Sequence, residues 1–209
     1  VDGPQILIYH THSQEGFADS VPGDPSTTIV GAGEYLAELL RNRGYKVMHV
    51  TSVYDLIDGE LDRSEAYSRA EEEISQILAE HPSIQSVIDL HRDGVAEGTR
   101  LVTELNGKTM ARFMFFNGLS RTRKTGDIDY LANENQEANL AFSFQMQLKA
   151  AEYYPGLTRR IYLKGYRYNM HLRPRTLLVE LGAQNNTVEE AINACDPLAH
   201  ILDMVLKGE

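Results

Sequence analysis

Cysteine is almost absent: Cys195 is the single one among 209 residues. The chain therefore forms no intrachain disulfide and no cysteine-based zinc cluster, and any metal must be held by histidine and carboxylate. The neighbours of Cys195 are apolar, which suits a packed thiol better than a nucleophile. One cysteine fits either a reducing compartment or an exported protein that avoids disulfides. Long apolar runs are missing too. None approaches the about 18 residues a membrane-spanning helix needs, and Val1-Asp2-Gly3-Pro4 does not begin a secretory leader. Positive charge is scarce: 20 Lys and Arg stand against 30 Asp and Glu, and the net charge of −10 argues against nucleic acid as a general partner and against anchoring by broad surface charge on an anionic membrane. Without repeats, low-complexity tracts or linkers, residues 1–209 read as one domain, large enough to bury its own core. A metal here would serve chemistry rather than folding.

What is present begins with Gln5-Ile6-Leu7-Ile8-Tyr9, an apolar run suited to a strand covered on both faces. It stops in His10-Thr11-His12 and then Glu15. Helical spacing of Ile29, Leu36, Ala37 and Leu40 predicts a helix over about 27–43, capped by Ser26 or Asp24 and stopped by Gly44. A strand follows over 45–50, with His49 packed or at the surface, then an acidic loop over 51–63 and a helix from Ser64 to Glu80, closed by His81-Pro82. Ser86-Val87-Ile88-Asp89-Leu90-His91 repeats the opening pattern of an apolar strand ending in histidine. Strand, helix, strand, helix, strand is the order of a mainly parallel sheet with helices on both faces, a three-layer α/β fold. Its functional crevice lies at the carboxyl ends of the strands.

Further along, Asn106-Gly107 predicts a hairpin joining strands at 101–105 and 112–116, with a polar, basic loop over 117–133. The helix from Asn135 to Tyr153 is expected to turn Ala138, Ala141, Phe144, Leu148 and Ala151 inward. Residues 158–175 gather Arg159, Arg160, Lys164, Arg167, Arg173 and Arg175 among Tyr162, Tyr166, Tyr168 and His171. They read as a substrate-binding lip that takes carboxylates and stacks on tyrosine. Thr176 to Gly182 is an apolar strand carrying Glu180, a carboxylate that burial makes costly unless a cation lies nearby. A capping box at Thr187 and Glu190 opens one helix, and Asp196-Pro197 starts another.

Three strands thus end at His12, His91 and Glu180. Two His and one Glu form a known catalytic zinc set with an open position for water, so His12, Glu15 and His91 are the candidate ligands, with His10 the rival to His12. Glu180 is the candidate general base. Arg92 or His171 is the candidate for stabilising an oxyanion. His91-Arg92-Asp93 also spells the protein-kinase catalytic triplet, but the kinase Asn, glycine-rich loop and DFG are missing.

Ile8-Tyr9-His10-Thr11-His12 with Glu15, Asp89-Leu90-His91-Arg92-Asp93, Asn139-Leu140-Ala141-Phe142-Ser143, and Leu178-Val179-Glu180-Leu181-Gly182 with Asn186-Thr187 together resemble the stage II sporulation protein P family. That family is related to zinc-dependent N-acetylmuramoyl-L-alanine amidases. The resemblance implies a phosphorylase/hydrolase-like amidase fold and one Zn2+. It implies cleavage of peptidoglycan between N-acetylmuramic acid and L-alanine, and a second cleavage within peptide cross-links. It implies action outside the cytoplasmic membrane, in the septal space during engulfment, with an N-terminal membrane anchor that this sequence does not include. The partners it implies are a lytic transglycosylase, stage II sporulation protein D, and a membrane protein of the engulfment complex. It carries His12 and His91 over as zinc ligands and Glu180 as the catalytic carboxylate. The wider amidases take their second ligand from a Glu at the start of the first helix, where residues 24–31 offer none, so the place falls to Glu15. A zinc carboxypeptidase would use the same inventory, a wall-binding domain would leave Glu180 without a purpose, and a glycosidase using Glu15 and Glu180 would leave the histidines unexplained.

Overall fold

The structure, a computed structural model, describes residues 2–209. In chain order it runs β1 (Ile6–Tyr9), α1 (Ile29–Asn42), β2 (Val47–His49), β3 (Leu56–Ile57), β4 (Glu60–Leu61), α2 (Ala66–Glu80), β5 (Ser86–Asp93), β6 (Val102–Leu105), β7 (Lys108–Ala111), β8 (Phe113–Gly118), β9 (Arg121–Thr122), β10 (Gly126–Asp127), α3 (Gln136–Tyr153), β11 (Tyr162–Lys164), β12 (Thr176–Ala183) and α4 (Val188–Lys207). Six strands form the central sheet in the order β11-β8-β12-β5-β1-β2. β2, β1, β5 and β12 are parallel, while β8 runs antiparallel to β12.

Alternation along the strands separates two apolar layers. Ile6, Ile8, Ile88, Leu90, Phe115, Val179 and Leu181 pack with α1, α3 and α4; Leu7, Tyr9 and Val87 pack with Ala70, Ile74 and Leu78 of α2 on the opposite face. The expected three-layer α/β architecture is therefore present. α2 lies over the β1–β5 side of its face; on β12 and β8 the same face carries Leu178 and Met114, which are buried, and Phe116, which is half-buried.

Several local expectations are revised. α1 begins at Ile29 under a Thr28 cap, because Asp24 is used to cap a short 3-10 turn over Pro25–Thr27. The Asn106-Gly107 turn, with φ of 53° and 75°, does close a hairpin, but between β6 and β7; β8 continues into the main sheet instead. The 117–133 loop contains the small β9–β10 hairpin. The two helices expected after Thr187 are one, since α4 runs through Pro197. Its stripe of Ala191, Ala194, Leu198, Ile201 and Leu202 is buried throughout, and that burial outweighs the roughly 3 kcal/mol an interior proline costs. Cys195 lies wholly buried in this stripe, and burial pushes its thiol up.

The face of α3 is the largest departure. Phe144 and Leu148 are 55% and 53% exposed, while Asn139, Phe142, Ser143, Met146 and Ala150 face the sheet. Two polar residues hold inward positions because their hydrogen bonds are met there. Asn139 donates to the Met170 carbonyl and accepts the Thr176 N–H, and Asn117 donates to Ser143 at 2.9 Å.

Candidate metal centre

Parallel register brings the carboxyl ends of β1, β5 and β12 together, with Ile8 opposite Ile88 and Glu180 opposite His91. β1 ends at Tyr9. His10 keeps the parity of Ile6 and Ile8 and lies on the α1 face. There its Nδ1 donates to the Leu90 carbonyl at 2.8 Å, leaving Nε2 to accept from His49 Nε2 at 2.8 Å. Burial first, and the neighbouring His49 second, lower the His10 pKa to about 4. The turn over residues 11–14 then breaks the alternation, so His12 crosses to the α2 face, where its ring meets Tyr67 and His91. His10 and His12 do not point the same way, contrary to what an unbroken strand would require.

One donor atom from each of His12, Glu15 and His91 lies within 4.8 Å of the others. Glu15 enters from the loop, its own carbonyl accepting the Ile29 N–H at the start of α1 at 3.0 Å. Its carboxylate accepts the Arg92 N–H at 3.2 Å, and the Arg92 and Arg63 guanidiniums lie 3.7 and 3.8 Å away. Burial acts to raise this carboxyl, but hydrogen bonding and charge from His91, with Arg92 and His12, carry it below the ordinary value. Arg92 Nε donates to the Gly16 carbonyl at 2.7 Å, so Arg92 braces the Glu15 loop.

Asp89 stands one pleat before His91 on the same face. Its Oδ1 lies 2.8 Å from His91 Nε2, and its two oxygens accept the Thr11 hydroxyl at 2.6 Å and the Thr11 N–H at 3.0 Å. A carboxylate on one imidazole nitrogen fixes the ring so that the other faces a ligand, and His91 Nδ1 accordingly faces Glu15 at 3.3 Å. Burial alone would lower the His91 pKa, yet Asp89 and Glu15 raise it well above the ordinary value. Two buried carboxylates converging on one ring make a place for added positive charge. An open-sided N, O, N donor set with an outer carboxylate fits a divalent zinc ion.

Glu180 sits beside this group. A register shift follows it, between Glu180 and Ala183, where Gly182 takes φ of 63° and the Ala183 N–H is accepted by Asn186 at 2.8 Å. Bulges of this kind re-aim side chains next to sites. Glu180 Oε2 is buried with no partner among the described residues. Burial, opposed by His91 and reinforced by Glu15, raises its pKa to about 7.

Other residues singled out in the sequence lie elsewhere. His171 Nε2 lies 2.9 Å from Glu71 Oε1, and Arg173 donates to the Leu78 and Ile84 carbonyls at the far end of α2. Neither joins the donor group. Arg159 pairs with Asp93 at 2.7 Å and Arg167 lies 3.7 Å from Glu71, so the arginines of 158–175 do not converge on one lip. Three residues went unnoticed in the sequence. Asp89 had a signal, since it has the same strand parity as His91. Arg63 and Tyr67, whose ring lies at 17° to that of His91 with centroids 6.3 Å apart, had none, because only tertiary packing brings the start of α2 here.

The fold is that of N-acetylmuramoyl-L-alanine amidases. AmiC2 of Nostoc punctiforme aligns with a TM-score of 0.56 at 12% identity over 98% of this chain and 97% of its own. The CwlD amidase from Clostridioides difficile, solved in complex with the GerS lipoprotein, aligns at 0.57, 12% identity, 98% and 100%. The family described as Stage II sporulation protein P (SpoIIP) matches residues 1–203, and the chain belongs to that family. Stage II sporulation protein P of Bacillus subtilis (strain 168) is 25% identical over 215 residues, which is 96% of this chain and 50% of the relative. The chain thus spans about half the length of that relative.

Proposed function

We propose that this chain is a zinc-dependent peptidoglycan hydrolase of sporulation, cleaving the amide between N-acetylmuramic acid and L-alanine. The observation that carries the reading is the convergence of His12, Glu15 and His91 donors within 4.8 Å beside the half-buried Glu180, whose Oε2 has no partner among the described residues. His12, Glu15 and His91 would hold the ion, Asp89 would orient His91, and residues 1–209 would act as one catalytic domain. When bound, zinc supplies Lewis acidity and lowers the pKa of water toward about 7. Glu180 takes a proton from the attacking water and returns it to the leaving nitrogen, the general acid–base role that its place beside the donor group supports. Arg92 and Arg63 hold the Glu15 carboxylate in place.

Among the described residues no helix is long and apolar enough to cross a membrane. Anchoring by a preceding segment, action in the septal space, cross-link cleavage, and partnership with stage II sporulation protein D and an engulfment membrane protein belong to the same proposal. It is tested by digesting purified peptidoglycan with and without chelator and reading the products by mass spectrometry. Peptides with a free N-terminal alanine, lost on chelation, are expected. Single amino acids would indicate a carboxypeptidase, and chelator-insensitive sugar fragments would overturn the zinc reading. Glu180→Ala should retain zinc without turnover, and His12→Ala should lose zinc.

A further inference from the structure

The α2-facing side of the sheet carries two rows of side chains running away from the metal centre. Register sets one row as His91, Glu180 and Met114, and the next as Asp89, Leu178, Phe116 and Tyr162. Tyr162 therefore stands three strand spacings from β5, roughly 14 Å. Above these rows aromatic rings make a continuous path. Tyr67 touches His12 with centroids at 5.5 Å, Tyr168 lies 5.3 Å from Tyr67 and 4.8 Å from Phe116, and Phe116 lies 5.5 Å from Tyr162. Tyr166 flanks Tyr168 at 6.3 Å. The outer rings open to solvent, Tyr162 at 44% and Tyr166 at 64%.

This path is built rather than incidental. Tyr168 and Asn169 both take left-handed backbone, at φ of 52° and 58°, a conformation that side-chain-bearing residues hold only where the surroundings impose it. Asn169 donates to the Tyr67 carbonyl at 2.8 Å, tying the loop to the first turn of α2. On its other side the loop is seated against Gly118, where a Cβ would come within 2.4 Å of the Tyr166 carbonyl oxygen. Tyr35, Tyr45, Tyr54 and Tyr154 place their hydroxyls on Asp196, Asp203, Glu73 and His200. Among the described residues the hydroxyls of Tyr162, Tyr166 and Tyr168, like those of Tyr67, Tyr130 and Tyr153, have no such partner. Flat apolar faces rimmed by unspent hydroxyls suit an amphipathic ligand that is itself flat and hydroxyl-rimmed.

We propose that Tyr162, Tyr166 and Tyr168 form a saccharide shelf that stacks the pyranose rings of an N-acetylhexosamine strand whose substituted sugar reaches the metal centre. The identity of the strand rests on the peptidoglycan reading above. A peptide laid on as an added strand is the poorer fit, because β11 offers only three residues and such binding draws its affinity from a ladder of main-chain bonds. Charge agrees with the substrate. In a chain of net −10, Lys164 lies 5.4 Å from the Tyr162 ring centre. Arg121, which with Arg123 and Lys124 makes the adjoining hairpin basic, donates its N–H to the Gly165 carbonyl at 3.0 Å. Stem-peptide carboxylates would meet these cations.

The test titrates the whole chain, stripped of metal by chelator, with an N-acetylglucosamine tetramer and separately with a glycan-free stem peptide. The tetramer should bind. Tyr162→Ala/Tyr166→Ala should weaken it on the order of tenfold, while Tyr162→Phe/Tyr166→Phe, which keeps the stacking faces, should stay within about threefold of wild type. Both rings are exposed, and thermal unfolding of each variant checks that the fold is intact. No tetramer binding by wild type, equal binding by the alanine variant, or stem-peptide binding lost in that variant would each overturn the shelf. The amidase reading is scored separately, by zinc-dependent release of alanine-terminated peptide from a muropeptide too short to reach Tyr162; failure there with tetramer binding intact sinks that reading alone.

Discussion

Replacing Glu180 with Gln should make the metal-free protein more stable and the loaded enzyme inactive. The folded carboxyl titrates near 7 against an ordinary 4.5, so between those values the native state keeps a proton that the unfolded chain releases. Stability must then fall as pH rises through that window and level off above it. At 1.36 kcal/mol for each tenfold in proton affinity, the ionised group costs the fold ~3 kcal/mol in total. About 2 to 3 kcal/mol of that is lost between pH 5 and pH 8. Glutamine cannot ionise and is spared the loss. His91, whose raised pKa also sheds stability as pH rises, titrates in both proteins, and because its charge acts on Glu180 the comparison reads the coupled pair. Urea unfolding of zinc-stripped wild type and Glu180→Gln at pH 5 and pH 8 gives the double difference directly. The variant should gain about 2 to 3 kcal/mol relative to wild type on going to pH 8. In the zinc-loaded enzyme the same change should cut kcat by roughly 10²–10⁴ while zinc stoichiometry is kept. An equal pH dependence in the two proteins would refute the claim that the fold holds this carboxyl out of its ordinary range.

Three further outcomes are expected. Asp89→Asn removes the carboxylate behind His91 and should weaken zinc binding about 10–100-fold in chelator competition; unchanged affinity would show that Asp89 does not orient the ligand. Gly33→Ala would place a Cβ 2.5 Å from His10 Nε2 and 2.8 Å from His49 Nε2, and denaturant unfolding should register a loss of about 1–3 kcal/mol. Phe142→Ala should cost about 3–5 kcal/mol whereas Phe144→Ala should stay within about 0.5 kcal/mol; the reverse order would restore the helix face that periodicity suggested.

That α3 comparison marks a limit on what a pattern of apolar residues conveys. Phe144 and Leu148 read as a core face by spacing, but Asn139 and Ser143 took the inward positions because β8 and the segment before β12 offered them hydrogen-bond partners. Pro197 likewise reads as a helix start, and it lies mid-helix because the buried stripe of α4 runs past it on both sides.

The sequence by itself determined the strands, since Ile6–Tyr9, Val87–Leu90 and Leu177–Val179 are local apolar runs that need no context to be recognised. It also placed His12, Glu15, His91 and Glu180 toward the carboxyl ends of their strands, though His12 and Glu15 lie beyond β1 while β5 and β12 run on past His91 and Glu180 to Asp93 and Ala183. Strand parity is a local property as well, which is why Asp89 was within reach beside His91. Tertiary structure alone decided which histidine faces Glu15, because that depends on where β1 stops and how the turn over residues 11–14 leaves it. Likewise, the meeting of Tyr67, Tyr168 and Phe116, or of Arg63 with Glu15, joins residues far apart in the chain. Such contacts follow from the packing of α2 and the 165–171 loop over the sheet, an arrangement that no window of sequence encodes.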